Sequence, residues 1–423
     1  MDNKQKNAIV VSLHDDVSEI IQLAASLDYN IITQFIQHKK TPEVTSYIGQ
    51  GKVEEIQEYI NTIDQDIDLI IVDGELKPSQ WFMLEKKFDK DVFDRVRLIL
   101  AIFAERADRK EARLQVRLAQ LQYERPFVRE LIHRARASEH PGFMAGGEYQ
   151  VDDYYEMIKK QTKKIKEDLE KIRDERDVRR QHRHTGGFYM VSLAGYTNAG
   201  KSSLLNLLSG EQVKVEGRLF STLSTTTRKI TNKHVPILLT DTVGFIQNLP
   251  ALIIDAFHST LEEIAVADIV LLVVDVSEEK ALVEKKLKIS LDELVDIGIT
   301  SPSIIVLNKI DELSEQELDE RITYLKKQEL LKGRKYIAVS VTEKQHIDTL
   351  LDTIHKSLPH KIAIKIQLPI CEQSQSFISW IYEKAHVADI SYGNHVTLLV
   401  ECNVGIKDKI VATCQDLQGT VIH

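Results

Sequence analysis

Short apolar runs at residues 8–13, 31–36 and 69–72 alternate with amphipathic stretches at 17–27, 53–60 and 79–88. The runs read as buried strands and the stretches as helices; a further apolar run at 97–102 reads as a fourth strand. Strand–helix alternation of this kind predicts a small, largely parallel α/β domain over residues 1–102. From about Phe103 the period lengthens. Ala107, Glu111, Leu114, Leu118 and Leu121 fall at seam spacing, as do Ile158, Ile165, Leu169 and Ile172. Two seams joined by a Pro/Gly-containing loop at 141–147 predict an antiparallel helical hairpin and linker over 103–186. Apolar runs at 188–194, 236–240, 269–276, 303–307 and 336–339 then predict a mostly parallel sheet in a domain spanning 187–358. Beyond Pro359, runs at 362–368 and 396–400 alternate like strands around a helix at 374–385, giving a small α+β domain over 359–423 with no visible chemistry. The predicted class is a multidomain α/β chain.

A length of 423 residues supports several domains, and 43% hydrophobic with 28% charged residues is the composition of a globular protein. The start, MDNKQKNAIV, lacks the basic-then-apolar pattern of a secretory signal, and the 269–276 run is too short to span a bilayer. Cys371, Cys402 and Cys414 show no C-x-x-C spacing; they read as buried thiols of a cytoplasmic protein. A net charge of −9 argues against indiscriminate nucleic-acid binding and against DNA as a partner. The charge reverses locally: residues 105–136 hold nine Lys/Arg against five acids, and 159–183 hold eleven against six. Arg106, Arg109, Arg113 and Arg117, read on one helix, would share a face able to follow an RNA backbone. A solvated face paired with Glu and Asp fits the spacing equally well. Gly49-Gln-Gly-Lys52 opens a predicted helix, where an anion could sit or where the glycines simply form a turn.

The chemistry concentrates in the third domain. Gly195-Tyr196-Thr197-Asn198-Ala199-Gly200-Lys201-Ser202, followed by Ser203, stands directly behind an apolar strand. This is a P-loop: glycines allow close backbone approach, the N–H groups cradle phosphate oxygens, Lys201 reaches the β- and γ-phosphates, and the Ser202 hydroxyl ligates Mg²⁺. Asp241-Thr242-Val243-Gly244 follows the next predicted strand, so Asp241 can hold Mg²⁺ through water and the Gly244 N–H can meet the γ-phosphate. Asn308-Lys309-Ile-Asp311 follows a third. The Asp311 carboxylate can accept two bonds from guanine that adenine cannot offer. Ser340-Val341-Thr342 is placed to touch the guanine oxygen. Between the first two motifs lie Phe220, Ser221 and Thr222, with Thr226 and Thr227 further on. A threonine here, Thr222 before Thr226 or Thr227, would ligate Mg²⁺ only while the γ-phosphate is present, making the segment a switch. Phe245 stands where many GTPases carry a water-orienting glutamine, so no catalytic residue is assigned and hydrolysis is expected to depend on a partner.

Several stretches together resemble the HflX family of ribosome-associated GTPases. They are Tyr47-Ile-Gly-Gln-Gly-Lys-Val-Glu-Glu-Ile56, Val72-Asp-Gly-Glu-Leu-Lys-Pro-Ser-Gln80, the 103–123 segment, the P-loop itself and Leu219-Phe…Thr222-Leu. The resemblance implies a cytoplasmic monomer that binds the large ribosomal subunit, including its RNA, through the first two domains, and splits stalled or idle ribosomes in the GTP state. It favours Thr222 as the magnesium ligand. One departure is the shortened tip of the hairpin, Pro141-Gly-Phe-Met-Ala-Gly-Gly-Glu148, with Tyr149 at the family's threonine position. Two other readings remain open on the residues alone: a nucleotide-gated protein scaffold, and a GTPase assisting an RNA-modifying enzyme.

Overall fold

A computed structural model describes residues 6–136, 147–185, 188–210, 220, 223, 225–232, 235–247, 252–253, 262–359 and 361–422. The hairpin tip at 141–146, Ser221 and Thr222 lie outside these residues. The chain divides into two compact units: one runs up to Leu169 and includes Phe220 and Leu223, and the other takes Glu170 onward.

The first unit opens with a four-stranded parallel sheet. Its strands are β1 (Lys6–Ser12), β2 (Tyr29–Ile36), β3 (Leu69–Val72) and β4 (Asp91–Asp94), in the order β2-β1-β3-β4. β1 and β3 are buried on both faces, which explains their unbroken apolar runs. Ile9, Val11, Ile70 and Val72 pack with Val53 and Ile56 of α2 (Gln50–Thr62) and Leu84 and Phe88 of α3 (Pro78–Phe88). The 97–102 run is not a strand. It lies inside helix α4 (Arg95–Arg106), and β4, which carries only two apolar residues, takes the fourth place in the sheet. Buried Asp94 ends β4 and starts α4 together: its carboxylate accepts from Arg97 N at 2.8 Å and from Leu76 N at 3.0 Å. That cap decides the ambiguity an all-apolar run leaves open. α1 (Ser18–Ala25) completes the layer set.

The hairpin comprises α5 (Lys110–Arg136) and α6 (Gly147–Thr185). Leu118, Leu121 and Val128 of α5 meet Ile158 and Ile165 of α6, with Leu114 and Leu169 against them, as the seam spacing predicts.

The second unit contains a six-stranded sheet built from β5 (Tyr189–Gly195), β6 (Thr226–Asn232), β7 (Val235–Asp241), β8 (Ile269–Asp275), β9 (Ser303–Asn308) and β10 (Lys335–Ala338). Its order is β10-β9-β8-β5-β7-β6, parallel except for β6. Helix α7 (Lys201–Ser209) and α10 (Ile347–Ser357) pack into the core of the sheet, α8 (Lys280–Asp296) lies against β5 and β8, and α9 (Glu315–Lys327) packs on α8. The chain ends in β11 (Lys361–Leu368), α11 (Glu372–Lys384), β12 (His386–Tyr392), β13 (Val396–Asn403), α12 (Val404–Asp416) and β14 (Thr420–Ile422). This β-α-β-β-α-β run folds as an antiparallel sheet of order β12-β13-β11-β14, a ferredoxin-like arrangement. Cys402 and Cys414 are buried there as expected, but Cys371, just before α11, is exposed. No helix among the described residues is long and apolar enough to cross a membrane.

Candidate nucleotide-binding site

The C-terminal edge of the six-stranded sheet gathers the motif residues, because β5, β7 and β9 each end in one. β5 delivers Gly195 with φ +133°, and a Cβ there would stand 2.2 Å from the Val273 carbonyl oxygen. Gly200 turns the loop into α7 with φ +96°, and its Cβ would meet Asn308 Nδ2 at 2.3 Å. Only glycine fits either position, so the two residues are set by backbone geometry rather than by composition. Between them Tyr196, Thr197 and Ala199 are buried, while Asn198, at φ +63°, is exposed.

Lys201 is the first residue of α7, and its side chain folds back over the loop. Nζ donates to Gly195 O at 2.9 Å and Tyr196 O at 2.8 Å. Burial lowers its pKa to about 8, with the negative charge of Asp241 opposing that shift. Ser202 Oγ donates to Asp241 Oδ2 at 2.6 Å, and Ser203 follows on the same helical turn. Asp241 is the last residue of β7 and almost fully buried. Thr242 anchors the following turn, its Oγ1 donating to Leu193 O at 2.7 Å. Val243 is buried, and Gly244 then runs beside Thr197 and Lys201. Phe245 is buried and pairs with the loop through its backbone: Thr197 N donates to Phe245 O at 2.9 Å and Phe245 N to Gly195 O at 3.0 Å.

Asn308 joins three segments. Its Nδ2 donates to Ala199 O at 2.9 Å, and its Oδ1 accepts from Val341 N at 3.2 Å. Lys309, at φ +68°, pairs with Asp275 at 2.5 Å. Asp311 stands exposed on the 3-10 turn Ile310–Glu312. Ser340 is fully buried and accepts from Glu343 N at 2.9 Å, which fixes the turn carrying Val341 and Thr342.

Comparison with known proteins agrees with this geometry. Residues 190–309 match the family described as 50S ribosome-binding GTPase. Residues 14–104 match the GTP-binding GTPase N-terminal family, and 106–183 its middle region. GTPase HflX of Thermococcus kodakarensis is 37% identical over 400 residues, covering 93% of this chain and 90% of the relative. GTPase HflX of Methanocaldococcus jannaschii is 39% identical over 374 residues, 88% and 89% respectively. The chain belongs to the HflX family of GTPases. A crystal structure of SsGBP in complex with GDP superposes with TM-score 0.50 at 27% identity, covering 83% of this chain and 98% of that one.

In this HflX-family chain hydrogen bonds join Ser202 to Asp241, Phe245 to Gly195 and Thr197, and Asn308 to Ala199 and Val341. Thr226 stands opposite Asp241 in the strand register, and Thr227 opposite Thr240. Both lie in β6, antiparallel to β7, and Thr227 Oγ1 is 3.0 Å from Thr240 Oγ1. The Phe220 ring is buried and packs edge-on against Phe103, centroids 4.7 Å apart. The arginine stripe is broken. Arg106 ends α4 half-buried, Arg109 lies in the gap before α5, and only Arg109 and Arg113 are exposed. Arg113 Nε donates to Ala107 O at 2.9 Å, satisfying a carbonyl that the break leaves open. Asp108 sits at that break, a residue type that favours helix starts over interiors.

Two features were missed in the sequence. Asp275, paired in register with Asn308, could have been found as the acid that closes the apolar β8 run. On the hairpin, Arg125 and Lys159 approach the Tyr155 ring at 5.7 and 4.7 Å, a basic–aromatic cluster with no sequence signature. Its Tyr155 hydroxyl has a lowered pKa, chiefly through the bond from Arg125.

Proposed function

We propose that this GTPase depends on Mg²⁺, binds the large ribosomal subunit and its RNA, and splits stalled or idle ribosomes, with the subunit stimulating hydrolysis. The observation that carries the nucleotide reading is Asn308, whose side chain ties the P-loop to the turn at Val341. Phosphate, purine ring and base edge thereby share one rigid frame. In it Asp311 accepts from guanine, Lys309 lines the ring, and the 340–342 turn meets the guanine oxygen. Lys201 exchanges the Gly195 and Tyr196 carbonyls for phosphate oxygens. The Ser202 hydroxyl and Asp241 carboxylate, 2.6 Å apart, are hard oxygen donors of the kind Mg²⁺ selects, and Thr222 is proposed as the ligand that senses the γ-phosphate. The ion would neutralise charge between the β- and γ-phosphates.

Phe245 makes the partner necessary. Its side chain is buried and has no hydrogen-bonding group, so it cannot orient the attacking water. A group supplied on the large subunit does so in this reading. The 50S-binding description of the matching family and the exposed basic residues Arg109, just before the hairpin, and Arg113, Arg125 and Lys159 on it support that partner. The working boundaries are 1–102, 103–186, 187–358 and 359–423. GTP turnover measured with and without purified large subunits tests the proposal. At least a tenfold rise is expected, and equal rates count against it. Splitting is read separately, as subunits released from whole ribosomes under a non-hydrolysable GTP analogue.

A further inference from the structure

The strands of the six-stranded sheet lie in the order β10-β9-β8-β5. The P-loop leaves β5 and the 340–342 turn follows β10, so a nucleotide with its phosphates at the first and its base at the second crosses the ends of β8 and β9. Asp275 closes β8 and Lys309 follows β9 at that crossing. Lys309 Nζ pairs with Asp275 Oδ2 at 2.5 Å, the two side chains 24% and 10% exposed. The other carboxylate oxygen is occupied too: Oδ1 accepts from Ser277 N at 3.0 Å and from Ser277 Oγ at 2.6 Å. Asp275 is therefore fixed by its own turn as well as by the lysine.

The fold has little need of this ion pair. β8 and β9 are already joined in register from Val270 and Ser303 to Asp275 and Asn308, and Val276 N donates to Asn308 O at 3.0 Å just beyond. An ordinary lysine–carboxylate pair of this domain, Lys280–Glu320, has side chains 45% and 65% exposed, and pairs in that much water are worth little. The Asp275 pair is drier, and what it fixes is the lysine. The Lys309 backbone sits at φ +68°, a region that a residue other than glycine holds only where its surroundings impose it. Its tip is tied to the neighbouring strand, on the side where β5 and the P-loop lie. The stem is thus held at both ends. An untethered lysine would sample many rotamers and lose that freedom on meeting a purine.

We propose that Asp275 is a positioning residue for the nucleotide: it orders the Lys309 stem in advance, so that the methylenes cover the purine face when the nucleotide binds. This rests on the placement of Lys309 against the purine proposed above. Methylene contact does not read the edge of the base. Asp275 therefore adds affinity for the purine as a ring and leaves the choice of base to Asp311.

Equilibrium binding of GDP and of inosine diphosphate, whose base lacks the 2-amino group, to the full chain tests this. Asp275→Asn keeps an oxygen for Ser277 and sets an amide against the ammonium. It should weaken both nucleotides by the same factor, about five- to thirtyfold, the rotamer freedom of one lysine side chain. The ratio of the two affinities should stay that of the unmutated chain. In a Lys309→Met background Asp275→Asn should change neither affinity, because it acts through the lysine alone. If Asp275→Asn does not fold, Asp275→Glu takes its place, moving the charge by one methylene; a smaller loss is expected, again absent in Lys309→Met. Full affinity in a folded Asp275 variant, a loss that persists in Lys309→Met, or an altered ratio would each overturn the proposal. Equal binding of the two diphosphates by the unmutated chain would instead count against Asp311 as the reader of the 2-amino group, a failure that the Asp275 comparison does not share.

Discussion

The molecule contains two glycine turns that each lead into a helix and a lysine, and they behave differently. At Gly49–Lys52 the first glycine has an ordinary φ of −63°, a Cβ there would meet only the flexible end of the Gln37 side chain at 2.8 Å, the space beside Gly51 is open, and Lys52 pairs with Glu55 at 2.7 Å. At Gly195–Lys201 both glycines have positive φ, each would drive a Cβ into a neighbouring segment, and the lysine is buried over two carbonyls. The first turn starts a helix. The second is held by the sheet in a shape whose inward N–H groups and buried cation suit an anion. A glycine–lysine pattern thus suits phosphate binding where the backbone itself is held at positive φ and the lysine is buried over the loop.

Substitutions can break that contrast. Gly200→Ala should have the largest effect. Its Cβ would displace Asn308, and the strained φ adds to the cost, so GDP affinity in equilibrium binding should fall by about a hundredfold or more. Asp311→Asn comes next. Losing one charge-assisted bond costs about 1.5–3 kcal/mol, or roughly 10- to 150-fold in GDP affinity, and the exposed position should leave the melting temperature unchanged. Asn308→Ala should act on both readouts. It orphans Ala199 O and Val341 N, about 1–3 kcal/mol each, lowering nucleotide affinity and the urea midpoint of the nucleotide-free chain. Gly51→Ala is the smallest and has the opposite sign. Within α2 and with open space for the methyl, it should stabilise the first unit by about 0.5–1 kcal/mol in urea melts and leave GDP affinity untouched. A loss of nucleotide affinity there would erase the distinction between the two turns.

What could be seen in the sequence follows the same logic. The P-loop and the motifs after β7 and β9 were legible because each places required residue types at the end of a buried strand. The strands themselves were legible where both faces are covered, as in β1, β3 and β8. The 97–102 run misled because an all-apolar stretch carries no period, and the deciding contact is the Asp94 cap at the end of a strand with only two apolar residues. The arginine stripe failed at Asp108, where one helix was read through a break between two. A cavity of the first unit lined by Trp81, Phe93, Tyr123, Phe127 and Tyr154 had no signature at all, since its rings are scattered from residue 81 to 154 and only packing brings them together.

The central claim is that the frame built around Asn308 and Asp311 selects guanine. Equilibrium binding of GDP and ADP to the purified full chain, in the same Mg²⁺ buffer, tests it most directly. GDP should bind about a hundredfold tighter or more, the sum of two bonds that adenine cannot make. Equal affinities, or a preference for ADP, would contradict the account.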